Sequence, residues 1–378
     1  MPSIQRSVPG LILIMLFSIC TGCVSSPQVR ERYFWPPPPD TPKIEWLGAY
    51  QGQADLKKPG LMALVVGETD EIGLGKPTYI TADGNGKVYV SDFRLKTVMV
   101  FDMKANNVHA LGNGLFEQPT GVAVDGQGTL YAADHKTRKV LVFDRDEKPL
   151  SVIDLSSNVK SIGSIAIDKV RNRLIVPDIK GNQVVVYDLA SRAVLFVLGG
   201  DAAEKGSEAI SFNFPTSVAV DGVGTILVCD SMNASIARFT SDGKFISRFG
   251  RRGDGTGDFN MIRAVSVDSE GHIYVTDSKA NRISIHNEKG EVLLVFGGAY
   301  SLKGAGSEIT PGGFLLPNGI FIDQNDTIYI VDQYNSRFQV FQYINEKYLK
   351  EHPVTEQMPA AKPTTPLKTG VPKDANKK

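Results

Sequence analysis

Cysteine is scarce in this sequence, with three among 378 residues. Cys20 and Cys23 stand close to the N-terminus, and Cys229 stands alone inside an apolar strand pattern. If Cys23 is acylated, the mature chain cannot form an internal disulfide. Related segments carry a small residue such as Ser91 or Ala133 where Cys229 lies, so we expect Cys229 to be a structural strand residue.

The sequence also lacks an excess of either charge, because 41 Lys and Arg balance 41 Asp and Glu. A neutral chain gives no overall reason to expect a polyanion or a membrane surface as partner. Any electrostatic function must therefore come from local clustering of charge. The 37 glycines and 21 prolines favour a turn-rich, all-β chain.

No long hydrophobic run is present, and the longest N-terminal one covers Leu11 to Ile19 with Ser18 inside it. Such a run is too short for a stable transmembrane helix and, after Arg6, is typical of a secretory signal peptide. Residues 1–22 are accordingly predicted to be a signal peptide. The sequence thus predicts an exported protein.

Small residues precede Cys23 and resemble a lipobox, which predicts lipidation of Cys23 after cleavage. The position three residues earlier is usually Leu and here is Cys20, so an ordinary cleaved secretory peptide is the alternative. Val24 is not the Asp that retains some lipoproteins at the inner membrane. We therefore expect a lipid anchor at the cell envelope, on the outer membrane.

A pair of aspartates recurs six times along the chain. In each copy an apolar strand ends at the first Asp, a tight turn follows, and a second apolar strand ends at the second Asp. Repetition at this period indicates one structural unit per copy. We expect a structural role for the second aspartates, which are Asp92, Asp134, Asp178, Asp230, Asp277 and Asp332.

Each copy continues with a third strand, and four copies have a fourth strand that closes on an apolar–Gly pair, as at Leu111-Gly112 and Phe249-Gly250. Four short strands per unit are typical of propeller blades. The sequence therefore predicts an all-β fold, a six-bladed β-propeller. The third copy has Ile162 in place of the usual Pro and has Pro177 inside its second strand, so an irregular blade is expected there.

The sixth copy lacks a convincing fourth strand. Residues 43–50 read as an isolated fourth strand with the same apolar–Gly ending, which predicts that an N-terminal strand closes the ring and removes a sheet edge. Tyr348-Leu349 is the alternative source of that strand. The predicted organisation is a signal peptide at 1–22, a Pro-rich membrane spacer at 23–42, the propeller at 43–353 and a disordered tail at 354–378.

The six copies resemble NHL repeats in three motifs. Pro119 to Asp125 matches the first, Gly271 to Asp277 the second and Asn281-Arg282-Ile283 the third. The resemblance covers about residues 43–350 and, with the lipobox and the Pro-rich segment, is similar to NHL-repeat lipoproteins of Gram-negative envelopes. It implies a propeller but no particular activity. NHL propellers elsewhere bind RNA through a basic face, but an exported chain seldom meets RNA, so no nucleic acid is expected.

A catalytic constellation is missing from the sequence. It has no nucleophile elbow, P-loop or dinucleotide fingerprint, and its five histidines do not recur at one repeat position. We predict no catalytic residues, no metal and no cofactor. The alternative is a metal-dependent hydrolase or lyase at the mouth of the central channel. The expected ligand-binding residues of that mouth are Thr78, Tyr79, Thr120, Ser164, Thr216, Ser217, Arg263 and Asn318.

The five residues after each second Asp are expected to share one face of the ring. These thirty residues contain nine Lys or Arg and no Asp or Glu. Lys139, Arg282 and Arg337 are expected to pair with the Asp of their own blade, and acidic residues of neighbouring loops are the alternative that neutralises the face. The predicted basic face consists of Arg94, Lys96, His135, Lys136, Arg138, Lys180 and Lys279.

Repeats without a catalytic constellation favour a binding or assembly scaffold. Its partner is expected to be a protein of the cell envelope or an anionic glycan, and the propeller itself is expected to be monomeric. The membrane is reached through the lipid anchor.

Overall fold

The computed structural model describes residues 31–56, 72–200, 211–300 and 310–353. Six antiparallel sheets follow one another along the chain and form the blades of a six-bladed β-propeller. The all-β fold predicted from the repeats is therefore confirmed. The predicted signal peptide, Cys23 and the C-terminal tail lie outside the described residues. Within them, no helix has the length and apolarity needed to cross a membrane.

Blades 1 to 3 have four strands each. Blade 1 consists of β3 (Pro77–Ala82), β4 (Lys87–Asp92), β5 (Thr97–Asp102) and β6 (Asn107–Leu111). Blade 2 consists of β7 (Pro119–Val124), β8 (Leu130–Asp134), β9 (Lys139–Phe143) and β10 (Pro149–Asp154). Blade 3 consists of β11 (Ala166–Asp168), β12 (Arg173–Asp178), β13 (Gln183–Asp188) and β14 (Val194–Gly199).

Blades 4 to 6 complete the ring. Blade 4 consists of β15 (Pro215–Val220), β16 (Ile226–Asp230), β17 (Ser235–Phe239) and β18 (Phe245–Phe249). Blade 5 consists of β19 (Ile262–Val267), β20 (Ile273–Asp277), β21 (Arg282–His286), β22 (Val292–Ala299) and the short parallel β23 (Gly313–Phe314). Blade 6 consists of β24 (Pro317–Ile322), β25 (Thr327–Asp332), β26 (Arg337–Tyr343), β2 (Ile44–Tyr50) and β1 (Tyr33–Trp35).

The N-terminal strand β2 closes the ring, as the sequence predicted. It pairs with β26 from Ile44 opposite Tyr343 to Tyr50 opposite Phe338, so blade 6 contains strands from both ends of the propeller. Tyr348-Leu349, the alternative source of the closing strand, lies instead in helix α2 (Glu346–Glu351). Helix α1 (Gln53–Leu56) follows β2.

Strand β1 lies inside the segment predicted as a membrane spacer. Tyr33–Trp35 pair with β2, Phe34 is buried, and the Arg32 guanidinium meets the Glu45 carboxylate at 2.6 Å. Residues 36–43 then form only the connection from β1 to β2. The described part of the predicted spacer therefore belongs to blade 6, because its apolar and cationic side chains have partners there.

The core is divided among the junctions between blades. Six clusters of buried apolar residues are found, one between each pair of neighbouring blades. Side chains alternate between the two faces of a strand, so Val88 and Val90 face blade 6 whereas Tyr89 faces blade 2. Both faces of the two middle strands of a blade are buried, and for this reason these strands read as continuous apolar runs, whereas the outermost strands such as β10 and β18 are largely exposed.

Blade 3 is irregular, as expected from its sequence. Its inner strand β11 has three residues, and Ile162 reaches Asp178 only through an isolated bridge. Pro177 has no N–H to donate to the missing part of this pairing. Its carbonyl still accepts the N–H of Gly163 at 3.1 Å.

Candidate functional site

The two faces of the ring are distinct. The first aspartates of the repeat cap the turns on one side, as where Asp83 accepts the N–H groups of Asn85 and Lys87. We call this side the turn face. The opposite side carries residues 93–97, 135–139, 179–183, 231–235, 278–282 and 333–337, and we call it the Asp-loop face.

Each second aspartate is buried beneath the Asp-loop face. Asp134 accepts the backbone N–H groups of Glu117 and Gln118 before its blade's inner strand and those of Lys136 and Thr137 after itself. Asp92, Asp178, Asp230, Asp277 and Asp332 bind the corresponding groups of their blades. A buried carboxylate that accepts backbone N–H groups fixes the loops around it.

The residue after the second Asp ties each of four blades to the next one. His135 Nδ1 lies 2.8 Å from the carbonyl oxygen of Ile162, and Ser231 Oγ donates to Ile262 at 2.6 Å. Ser278 and Gln333 bond the carbonyls of Pro317 and Pro77 in the same way. His135 was predicted to belong to the basic face, but its ring is directed at blade 3.

Tyr79 lies across the predicted channel mouth. Its hydroxyl donates to the carbonyl oxygen of Thr216, in the blade on the opposite side of the ring, at 2.9 Å. Burial raises the pKa of the Tyr79 hydroxyl, which therefore stays a donor. Below this bridge is a cavity of about 340 Å³, which extends between the inner strands to Asp83, Asp168 and Asp221 on the turn face.

Three of the eight predicted mouth residues line this cavity, namely Tyr79, Ser164 and Ser217. The hydroxyls of Ser164 and Ser217 accept backbone N–H groups of the following blade, from Val218 and Val265. The mouth hydroxyls thus serve largely as contacts between blades.

The other five predicted mouth residues lie outside the cavity lining. Thr78 bonds Ser91, and Thr216 bonds the carbonyl oxygen of Arg263. The Arg263 guanidinium lies 3.3 Å from the Met261 sulfur. Thr120 Oγ1 is buried with no partner among the described residues, and the Asn318 carbonyl accepts from Thr276 Oγ1 at 2.7 Å.

The predicted basic side chains separate into two groups. Lys136 pairs with Glu117 at 2.5 Å, and Arg138 donates to the carbonyl of Ser156 at 3.2 Å. The remaining four are exposed on the Asp-loop face and form no ion pair with a described carboxylate: Arg94, Lys96, Lys180 and Lys279.

One of the three expected pairs between an Asp and the basic residue five positions later is present. Arg337 Nε meets Asp332 Oδ2 at 2.7 Å, and both side chains are buried. The expected pairs of Arg282 and Lys139 are wrong. Arg282 donates to the Asp258 carbonyl at 2.8 Å, and Lys139 Nζ lies 3.9 Å from Asp154 Oδ2. Backbone N–H groups bond both carboxylate oxygens of Asp134 and Asp277, whereas Oδ2 of Asp332 accepts from the Arg337 side chain.

Cys229 is a buried strand residue, and burial raises the pKa of its thiol to about 12, so it stays protonated and unreactive.

Within residues 31–56, 72–200, 211–300 and 310–353, no three His, Cys, Asp or Glu side chains are grouped so that they could hold a metal ion.

Sequence reasoning overlooked an apolar component of the Asp-loop face. Phe93, Leu95 and Tyr334 are exposed by 39%, 43% and 49%. The Lys76 ammonium lies between two of them, 5.4 Å from the ring centroid of Phe93 and 5.7 Å from that of Tyr334. Comparison of the repeats could have found the first two, since polar or small residues occupy most equivalent positions.

Comparisons with known proteins support the fold. A family model described as a 6-bladed beta-propeller matches residues 215–287. A protein of unknown function from Bacteroides thetaiotaomicron is similar in structure, with 17% identity, coverage of 71% of this chain and 70% of the other, and a TM-score of 0.56. An auxiliary nutrient binding protein from the same organism has 14% identity, coverage of 72% and 70%, and a TM-score of 0.54.

An inactive virginiamycin B lyase from Staphylococcus aureus, solved with quinupristin, has 15% identity, coverage of 73% and 86%, and a TM-score of 0.50. No curated protein matches the sequence. At these identities the structural likenesses show the fold alone. The chain is a six-bladed β-propeller, and its function has to be argued from its own surface.

Proposed function

We propose that the protein is a binding scaffold that presents the Asp-loop face of its propeller to a protein partner of the cell envelope. An anionic glycan is the other ligand that this face suits. The proposal rests on one observation: four exposed cations of this face form no ion pair with a described carboxylate. They are Arg94, Lys96, Lys180 and Lys279. Such a surface attracts an anionic ligand and speeds its association.

The closed channel mouth supports surface binding over entry into the ring. The Tyr79–Thr216 hydrogen bond crosses the mouth, and hydroxyls nearby are used between blades. A ligand that arrives at the Asp-loop face therefore meets loops and side chains rather than an open pocket. The nutrient binding protein with the same fold is consistent with a binding role.

Attachment to the membrane by a lipid on Cys23 is part of the proposal. It rests on the lipobox resemblance and would hold the propeller at the cell envelope, on the outer membrane. The propeller itself is proposed to be monomeric. Cys23→Ser is expected to abolish incorporation of labelled palmitate and to move the protein from the membrane fraction to the soluble fraction. Palmitate labelling that survives Cys23→Ser would contradict the anchor.

Charge reversal tests the binding face. The full-length lipoprotein is used to capture partners from detergent-solubilised envelopes, with Lys180→Glu and Lys279→Glu combined as the test variant. The matched control combines Lys104→Glu and Lys289→Glu, which lie in turns on the opposite side of the ring. Loss of a captured partner in the test variant alone supports the proposal, and equal capture by both variants contradicts it.

A further inference from the structure

The exposed apolar side chains of the Asp-loop face concentrate around blade 1. The loop after Asp92 exposes Phe93 and Leu95, and Tyr334 of blade 6 is exposed beside it. At the position of Phe93, four other blades hold a residue that bonds the next blade: His135, Ser231, Ser278 and Gln333. Phe93, like the half-buried Ile179 of blade 3, forms no such tie, and its ring is exposed, so contact with the next blade does not account for its presence.

Direct contacts connect these side chains into one surface. Lys76 bridges the rings of Phe93 and Tyr334, and the Phe93 N–H bonds the Lys76 carbonyl at 3.0 Å. Arg94 and Leu95 lie against Gly75, where an added Cβ would stand 3.1 Å and 3.3 Å from them. We call this surface the blade-1 patch, and it consists of Lys76, Phe93, Arg94, Leu95, Lys96 and Tyr334.

The charge of the blade-1 patch is entirely positive. Lys76, Arg94 and Lys96 form no ion pair with a carboxylate in the part of the chain that the structure describes, whereas Lys136 of the next blade pairs with Glu117 at 2.5 Å. Asp92, beneath the loop, is buried and accepts backbone N–H groups. Apolar surface with unpaired cations around it is complementary to an acidic ligand that carries an apolar group.

We propose that the blade-1 patch docks an acidic segment of a partner protein through an apolar side chain flanked by carboxylates. The apolar side chain covers Phe93 and Leu95, and the carboxylates meet Arg94, Lys96 and Lys76. A protein segment fits better than a sugar, because the Lys76 ammonium already covers one face of each aromatic ring and so competes with stacking. This inference rests on the proposed function, since it names the partner class and the binding site.

The test uses the full-length lipoprotein in detergent and a fluorescent octapeptide of six Asp and two Phe. A second peptide with Asn for every Asp serves as the neutral probe. Phe93→Ala is expected to lower the affinity for the acidic peptide about tenfold, because a few central contacts of an interface carry most of its binding energy. Met232→Ala is the matched control, since Met232 is also an exposed apolar side chain on the Asp-loop face, in blade 4, and it is expected to leave the affinity unchanged.

Arg94→Glu, measured beside Phe93→Ala, is expected to abolish the preference for the acidic peptide. Equal affinities for the two peptides, no binding of the acidic peptide, or no effect of Phe93→Ala overturns the blade-1 patch. If envelope partners are still lost on reversal of Lys180 and Lys279 but not in Phe93→Ala, only the blade-1 patch fails. If capture responds to none of these substitutions, the proposed function fails with it.

Discussion

The hydroxyl of Tyr79, in blade 1, donates a hydrogen bond to the carbonyl oxygen of Thr216, in blade 4, across the axis of the ring at 2.9 Å. The same carbonyl accepts the N–H of Ser164 at 3.0 Å. Three blades therefore meet at one backbone oxygen. This junction closes the channel on the Asp-loop face and leaves the cavity to extend toward the turn face.

Removal of the Tyr79 hydroxyl tests the bridge. Tyr79→Phe is expected to lower the free energy of unfolding by about 1 kcal/mol, the usual net value of one hydrogen bond, because the Thr216 carbonyl keeps its bond from Ser164. Urea denaturation measures the change. Tyr131→Phe, whose hydroxyl lies 3.4 Å from Asp125, is the control and is expected to lose less. Equal stability of Tyr79→Phe and the wild type would show that the bridge contributes nothing.

The buried pair of Asp332 and Arg337 supports a second prediction. Asp332→Ala leaves the Arg337 guanidinium buried without its carboxylate, which typically costs about 3–5 kcal/mol of stability. The double variant with Arg337→Met is expected to recover part of this loss in urea denaturation. Asp242→Ala, at an exposed turn, is the control and is expected to change stability by less than about 0.5 kcal/mol. A double variant no more stable than Asp332→Ala alone would contradict the explanation.

The blade structure was predictable because the residues that determine each blade lie within one copy of the repeat. A first Asp caps its own turn, a second Asp accepts backbone N–H groups, and an apolar run fills both faces of a buried sheet, so each blade can be recognised within its own segment. The N-terminal strand was predictable for the same reason, since residues 44–50 carry the pattern missing from the sixth copy.

The site was less predictable because it depends on distances across the ring. The sequence placed Tyr79 among mouth residues, but whether its hydroxyl reaches blade 4 depends on the radius of the closed ring. The sequence predicts His135 to lie on the basic face, whereas its ring contacts the Ile162 carbonyl of the next blade. A comparison of charge among the loops does not reveal Phe93 and Leu95, whereas a comparison of side-chain size at equivalent positions singles them out.

Glu147 links blades 1 and 2 and predicts an acid dependence of stability. Its carboxylate meets His109 at 2.5 Å and Lys87 at 2.6 Å, and these contacts, His109 first, lower the pKa of Glu147 to about 2. Because the folded state favours the charged carboxylate, Glu147 stabilises the fold at pH values above its pKa in the unfolded chain, near 4.5. This stabilisation is lost as the pH falls toward 2. Between about pH 5 and pH 2.5, the wild type is expected to lose more unfolding free energy than Glu147→Gln.

Urea denaturation at each pH measures this difference, with Glu288→Gln, at an exposed turn, as the control. The control is expected to follow the wild type. Parallel curves for the wild type and Glu147→Gln would mean that the Glu147 contacts do not stabilise the folded state.

His272 predicts a dependence of opposite sign near neutral pH. Its Nδ1 lies 2.8 Å from Asp268 Oδ2, and this hydrogen bond raises the pKa of His272 above its usual 6.5. The fold thus favours the protonated ring, so its contribution is complete below pH 6.5 and is lost as pH rises through the raised pKa. From about pH 6 to pH 9, the unfolding free energy of the wild type is expected to fall relative to that of His272→Gln.

His286 provides the internal contrast for this last measurement. It is buried against Phe249 and Phe259, and burial lowers its pKa, so the fold favours its neutral ring. Its contribution is therefore present above pH 6.5 and is lost as pH falls through the lowered pKa. Relative to His286→Gln, the wild type is expected to lose stability on the acid side. If both His variants change in the same direction with pH, the hydrogen bond to Asp268 does not control the protonation of His272.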